Sequence, residues 1–308
     1  MRAKQKKKRT WLRVTGIVIL LLLVAGAVYG YTVYKSLKDT VATMHQPVDR
    51  TSNKRPDPVA LTKKQPFSVL MLGVDERQGD KGRSDTIIVL TVNPNQHSVK
   101  MLSIPRDTQT EIVGKGTVDK INHAYAFGSI PMAMDTVENF LDIPIDYYMK
   151  INMEGFKDIV DAVGGVTVQN NLDFTEGSYH FPVGEVTLNG DKALSFSRMR
   201  HQDPNGDFGR EQRQRQIIQA ILHKGANISS LANYNGILQA IGKNVKTNLT
   251  FDEMVDIQKN YKDATNNVEQ IQVTGTGTMI NKIYYLVISP EEKQKVQSEL
   301  KAHLELNK

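Results

Sequence analysis

With 308 residues and a hydrophobic content of 40%, the chain has room for one large domain or two small ones and can bury a sizeable core. Its formal charge of +6 is local: seven of the 39 basic residues lie in the first 13 positions, and the other 32 face 33 acids, which excludes a diffuse face for DNA or RNA. There is no cysteine, which excludes a disulfide framework and a thiol nucleophile.

The basic residues of the tail are Arg2, Lys4, Lys6, Lys7, Lys8, Arg9 and Arg13. An uncharged run, VTGIVILLLLVAGAVYGYTVY, follows at 14–34. Twenty-one helical residues cross a hydrocarbon core about 30 Å thick. Trp11 on one side and Tyr29, Tyr31 and Tyr34 on the other suit the two membrane interfaces. The pattern predicts a single-pass type II signal anchor at 14–34. Residues 1–13 then lie in the cytoplasm and the rest outside the cell membrane. The AGA at 25–27 would suit a cleaved signal peptide, but the apolar run continues past it.

Residues 35–64 are polar, contain Pro47, Pro56 and Pro58, and read as a short helical continuation and then a linker. As a flexible coil they would span roughly 30 Å. From 65 to 308 the texture is that of one α/β domain. Strand-length, β-branched runs occur at 67–74, 85–94 and 98–105. A helix is expected at 132–143, a strand at 147–153, and a helix stopped by Gly164 and Gly165. A short strand at 166–168 and helices at 189–197, 207–224, 229–243 and 250–264 come next. Late strands at 268–275 and 282–289 precede a helix with Pro290 at its first position. Helices interspersed with buried strands predict a central mixed sheet covered on both faces.

Familiar signatures are missing. DFG at 207–209 lacks the other kinase motifs, GDKGRS at 79–84 lacks the Walker lysine, and the seven histidines have no zinc spacing. What remains is polar residues at strand ends. Asp75 follows one strand and Asp85 starts the next, with Arg77 and Arg83 between them. Two converging carboxylates can hold a hard divalent ion through oxygen, although a loop acid and a turn or cap explain the same spacing. SIPRDT at 103–108 ends a third strand with Arg106 and Asp107, and Lys120 precedes a short helix.

The densest feature is RMRHQDPNGDFGREQRQRQ at 198–216, with five arginines against three acids. Arg198 and Arg200 follow a helix, and another begins near Asp207, a fitting N-cap. On that helix Arg210, Gln214, Ile217 and Ile221 share one face, polar at its N-terminal end and apolar deeper in. A helix N-terminus and several guanidinium groups together favour a phosphate-like anion. Arg213 and Arg215 are expected to face water.

LGVDERQGDKGRSDTIIVLTV, LSIPRDT, DKINHAYAFG, INMEGFKDIVDAVGGV and LNGDKALSFSRMRHQDPNGDFGREQRQRQII, in that order over 67–222, resemble the LytR-CpsA-Psr family. The resemblance implies a membrane-anchored α/β enzyme. Such an enzyme moves a phosphate-containing glycopolymer, here of the wall teichoic acid kind, from a polyprenyl diphosphate lipid to peptidoglycan. The acceptor is the C6 hydroxyl of N-acetylmuramic acid and the new bond a phosphodiester. It further implies Asp75 and Asp85 as ligands of Mg²⁺, with Mn²⁺ as the alternative. Arg83, Arg106, Lys120, Arg198, Arg200, Arg210 and Gln214 would surround the diphosphate. Asp75 and Asp107 are the candidates for the proton acceptor. Val137, Phe140, Leu141, Ile159, Ile217, Ile218 and Ile221 could form a sleeve for the lipid, or be plain core. A lipid diphosphate hydrolase and a non-catalytic receptor for anionic lipid or polymer are the competing readings.

Overall fold

The computed structural model describes residues 4–55, 57–75, 82–226 and 242–306. Helix α1 (Lys4–Met44) is followed by strands β1 (Phe67–Val74), β2 (Ser84–Asn93), β3 (Ser98–Ser103), β4 (Gln109–Ile112) and β5 (Thr117–Lys120). Then come α2 (His123–Leu141), β6 (Tyr147–Asn152), α3 (Met153–Ala162), β7 (Val166–Asn170), β8 (Phe174–Glu176), β9 (Tyr179–Phe181) and β10 (Gly184–Leu188). Helices α4 (Gly190–Arg198) and α5 (Asp207–Ala226) precede β11 (Val245–Thr247), α6 (Phe251–Tyr261), β12 (Val268–Gln272), β13 (Thr276–Ile280), β14 (Ile283–Val287) and α7 (Pro290–His303).

Six strands form the central sheet in the order β11-β6-β1-β2-β3-β12. It is mixed: β1 pairs antiparallel with β2 and parallel with β6, and β3 pairs antiparallel with β2 and parallel with β12. Side chains alternate across each strand, so each face carries its own core. On one face Leu70, Leu72, Val89 and Leu102 pack under α2 and α7 through Val137, Phe140 and Leu300. On the other, Val69, Ile88, Leu90 and Met101 meet Ile218 of α5 and Tyr261 of α6. A third cluster joins β7–β10 to α3, α4 and α5 around Phe174, Phe181 and Phe196. The expected two-sided α/β sheet is therefore present. The carboxyl ends of β1, β3 and β6 lie at one end of it, as does the amino end of β2, and this end holds the site described below.

Several local devices explain the element ends. Asn152, Asn189, Thr250 and Ser289 each accept a backbone N–H of the third helical residue, and Thr250 forms a capping box with Glu253. Helix α2 contains a break at Gly128 and Ser129 just before Pro131, so a short helix over His123–Phe127 runs into the longer one expected from the sequence. The expected helix at 229–243 falls almost wholly outside the described residues.

The uncharged run 14–34 lies within α1, whose apolar side chains there are exposed up to Val33. The same helix continues for ten residues beyond it. Val33, Leu37, Val41 and Met44 recur at helical spacing and are buried. Tyr34 packs edge-on against Phe251 at 5.4 Å, and Met44 lies against Val245.

The flexible coil expected over 35–64 is corrected by the structure, because its charges have partners on the domain. Arg50 donates to Asp135 at 2.7 Å, to Glu138 at 2.8 Å and to the Ile145 carbonyl at 2.9 Å. Arg55 pairs with Asp146 at 3.0 Å, and Asp146 also accepts the Ser68 N–H at 2.8 Å. Glu138 is buried and also accepts from Ser52 and from the Ile145 N–H. Replacing Glu138 by Ala leaves the Arg50 guanidinium buried with two of its three partners. Glu138→Ala should cost about 3 kcal/mol in urea unfolding. It should also make residues 46–60 the first sites of limited proteolysis.

Candidate active site

Asp85 owes its position to a bulge. Gly73 pairs with Thr86 and Val74 with Ser84, so Asp85 is the extra residue on β2. A bulge re-aims the side chain it carries. The loop closing β1 onto β2 ends at Gly82, with φ of +67°; a Cβ there would lie 2.7 Å from the Asp75 carbonyl oxygen, so only glycine fits. Asp75 and Asp85 thus flank the last pair of two neighbouring strands.

Strand β3 delivers the next residues. Pro105 cannot extend the ladder, and the chain turns with the Thr108 N–H bonded to the Pro105 carbonyl at 3.0 Å. The β4–β5 hairpin then pairs Gln109 with Lys120 and brings Lys120 back beside Asp107. Lys120 Nζ donates to Asp107 Oδ1 at 2.6 Å. Arg106 Nη1 donates to Asp85 Oδ1 at 2.7 Å, and its Nε stands 3.8 Å from Asp107 Oδ2.

The third contribution comes from the start of α5. The turn 200–206 folds so tightly on the helix that a Cβ on Gly209 would lie 1.9 Å from Asp203 Oδ2. Asp207 is the first helical residue, and its carboxylate has three guanidinium groups around it. Arg210 Nη2 is 3.5 Å away, Arg200 Nη1 3.7 Å and Arg106 Nε 4.0 Å. These are charge contacts and not hydrogen bonds: Asp207 Oδ1 and Arg210 Nε are both buried without a hydrogen-bond partner among the described residues. Asp85, Arg106, Asp107, Lys120, Arg200, Asp207 and Arg210 form one connected network.

The charges respond to this crowding. Burial lowers the Arg106 pKa, but the hydrogen bond to Asp85 and the charges of Asp85, Asp207 and Asp107 outweigh it, and the net shift is upward. For Arg210 burial wins and the pKa falls; Asp207 opposes the fall and Arg106 adds to it. Next to Arg210, Glu211 is 6% exposed, and burial pushes its carboxyl up to about 7 against the pull of Arg215 and Arg210. A carboxyl raised from 4.5 to about 7 holds its proton more tightly when folded, which corresponds to at most about 3 kcal/mol. That contribution is complete below pH 4.5 and is lost as the pH climbs to 7. The urea midpoint of Glu211→Gln should therefore rise relative to the parent's between pH 5 and 7.5, a difference that leaves out the opposite contribution of His303, whose burial lowers its pKa to about 4 in both chains.

Arg83 and Arg198 stand exposed, without an ion pair among the described residues, and Gln214 lies one turn beyond Arg210 on the same face. Arg77 lies outside the described residues. One expectation is corrected, and one open pair of readings is decided. Arg213 and Arg215 do not face water but are buried. Arg213 donates to the carbonyls of Phe196 and Met199 at the end of α4 and pairs with Asp203, while Arg215 Nε donates to Gln270. The proposed lipid sleeve is also not one cavity. Val137, Phe140 and Leu141 belong to the core under α2, Ile218 to the opposite face, Ile217 and Ile221 to the third cluster, and Ile159 packs by Met44. Asp207 was expected only as a cap. Its place three residues before Arg210, at a helix start lined with arginines, was the available signal for more.

Among the described residues no group of three or more His, Asp or Glu could hold a metal by itself. Asp75 and Asp85 nevertheless suit Mg²⁺, which is bound by one or two carboxylates with substrate phosphate and water oxygens completing the shell. Asp85 Oδ1 is held by Arg106, which leaves Oδ2 for such an ion.

Comparisons with known proteins match the chain over nearly its whole length. The LytR_cpsA_psr family model matches residues 31–302. A relative from Bacillus anthracis, polyisoprenyl-teichoic acid--peptidoglycan teichoic acid transferase TagU, is 53% identical over 303 residues, covering 98% of this chain and all of the relative. The same-named protein of Bacillus subtilis strain 168 is 52% identical over 306 residues, 99% of this chain and all of the relative. The crystal structure of B. subtilis TagU superimposes with a TM-score of 0.64 at 51% identity, covering 78% of this chain and 97% of that one. A structure of TagT bound to LIIa-WTA superimposes with a TM-score of 0.75 at 33% identity, covering 85% of this chain and all of that one. By sequence over nearly its whole length and by fold, the chain belongs to the LytR-CpsA-Psr family.

Proposed function

We propose that the chain is a transferase that moves a wall teichoic acid type polymer from a polyprenyl diphosphate carrier to peptidoglycan. The acceptor is the C6 hydroxyl of N-acetylmuramic acid. α1 anchors the enzyme in the cell membrane with the basic tail in the cytoplasm and the domain outside.

One observation carries the reading. All seven buried side-chain N and O atoms that lack a partner among the described residues belong to Ser103, Thr108, Asn122, Asp207, Arg210, Glu211 and Arg215. They come from three segments around the cation network, and buried polar atoms are otherwise almost always bonded. The donors among them, Arg210 Nε and the Ser103 and Thr108 hydroxyls, can bond the oxygens of a diphosphate, whereas the Asn122 and Asp207 oxygens are acceptors that call for a donor or a cation. Arg200 and Arg210 can exchange the distant Asp207 carboxylate for direct bonds to phosphate, each contributing roughly 1.5–3 kcal/mol.

The reaction needs no protein nucleophile. The acceptor oxygen attacks the phosphorus that bears the polymer, and the P–O bond to the lipid phosphate breaks. The hydroxyl proton passes to a carboxylate, Asp107 or Asp75. Asp107 is oriented by Lys120 and stands beside Arg106. Arg106, Arg200 and Arg210, with Arg83, Arg198 and Lys120 at the rim, stabilise the charge that develops on the transferred phosphoryl and the departing lipid phosphate. Asp75 and Asp85 would hold Mg²⁺, which when bound adds Lewis-acid stabilisation of the same oxygens.

The test combines the full chain in detergent with a lipid-linked teichoic acid precursor, a peptidoglycan oligomer and Mg²⁺, read by mass spectrometry. Polymer joined to glycan, and abolished by EDTA, is the expected result. Released polymer phosphate without a joined product would move the assignment to a hydrolase. Unreacted but retained lipid would move it to a receptor.

A further inference from the structure

A second cationic site lies away from the network just described. A cleft of about 700 Å³ opens between α1 and the chain entering β11. Lys35, Lys243 and Lys246 line it, with Asp39 and the hydroxyls of Ser36 and Thr40. Lys246 Nζ donates to the Thr43 carbonyl at 2.7 Å. Lys35 and Lys243 are exposed and have no ion pair among the described residues, and one carboxylate cannot balance three ammonium groups.

The height of this cleft is set by α1. Lys35 is the first charge after the uncharged run 14–34. The helix rises 1.5 Å per residue, so the cleft, from Thr32 to Thr43, spans ~16 Å of helix, of which about 13 Å lies beyond that run. The polar headgroup layer on each side of a bilayer is about 5–8 Å thick. The membrane-proximal half of the cleft, with Lys35 and Ser36, therefore stands among headgroups. The helix is unbroken there, and its buried stripe of Val33, Leu37, Val41 and Met44 keeps the domain at that height.

We propose that this cleft binds the phosphate of an anionic membrane lipid, held by Lys35 and Lys243 and bordered by the α1 hydroxyls. A lipid phosphate is the anion present at this depth, and lysines near a membrane surface attract anionic lipid. The inference rests on α1 spanning the membrane and not on the transferase assignment.

The test uses the full chain purified in detergent and native mass spectrometry. The parent should retain phosphatidylglycerol and not phosphatidylcholine. K35Q/K243Q should retain at least tenfold less phosphatidylglycerol at an unchanged Tm, and K35R/K243R should retain it like the parent. Millimolar glycerol phosphate, the same headgroup chemistry without tails, should not displace the lipid. Equal retention by parent and K35Q/K243Q, or equal retention of phosphatidylcholine, overturns the proposal. Displacement by glycerol phosphate overturns the lipid as the ligand in favour of a soluble phosphate. Alkaline carbonate extraction of vesicles carrying the chain tests the anchor separately: a released chain overturns the membrane reading of α1. A retained chain with equal lipid binding overturns only the cleft.

Discussion

Asp85→Ala is expected to lower the rate of polymer transfer by a factor of 10² to 10³, about 3–4 kcal/mol of transition-state stabilisation. Two losses coincide at this residue. The carboxylate is one of the two that would hold the divalent ion, and its Oδ1 is the acceptor that aims Arg106 at 2.7 Å. The side chain is 37% exposed, so the fold should lose less than about 1 kcal/mol. Asp85→Asn separates the two roles. It keeps an acceptor for Arg106 and removes the charge, so a rate as low as that of Asp85→Ala assigns the effect to the ion. A rate near the parent's would assign it to the Arg106 clamp alone. Parent-like turnover of Asp85→Ala would overturn the metal assignment altogether.

The second large effect is a contrast within one helix. Arg210→Ala should reduce transfer at least 100-fold with a Tm equal to the parent's or above it. Burial already disfavours the Arg210 charge, its Nε has no partner among the described residues, and its contact with Asp207 is a loose 3.5 Å. Removing such a cation from the unliganded fold costs little. Arg213→Ala, three residues on, should do the reverse. Arg213 satisfies two carbonyls at the end of α4, Phe196 and Met199, which otherwise have no helical donor, and it neutralises the buried Asp203. Its loss should cost about 3–5 kcal/mol, or roughly 6–15 °C in Tm. Transfer measured well below that Tm should fall far less than in Arg210→Ala. Equal Tm losses in both variants would show that the arginines of α5 are a single structural cluster.

The strands and the site residues carried by them were legible because burial leaves a pattern. The runs at 67–74, 85–94 and 98–105 correspond to β1, β2 and β3 within two residues, and Pro290 opens α7 as expected. Asp75, Asp85, Arg106 and Asp107 could be placed at strand ends by counting. Short strands such as β13, TGTMI, were not legible; Gly and Thr there give no apolar alternation, and only pairing with β14 defines them. The fate of Arg213 and Arg215 was not legible either. Helical spacing says which residues share a face, but not that α4 and β12 cover the faces left over. For the same reason the isoleucines of α5 looked like one sleeve, whereas four separate clusters divide the sleeve residues on and near the sheet. The bulge at Asp85 needs the register of two strands, which no single strand's sequence contains.

The docking of residues 46–55 decides where this chain can be cut. A soluble fragment starting at 65, the point where the apolar strand pattern begins, would discard Arg50 and Arg55. It would keep Glu138 and Asp146, buried acids whose counter-charges had been thrown away. Such a fragment should express poorly and aggregate near neutral pH. A fragment starting at 45 keeps both ion pairs, the His45 bridge to Thr247 and the Tyr148 hydroxyl's bond to the Gln46 carbonyl. The border of the folded body therefore lies no later than the end of α1, about twenty residues before the first strand, and the buried stripe of Val33, Leu37, Val41 and Met44 carries the packing back into that helix.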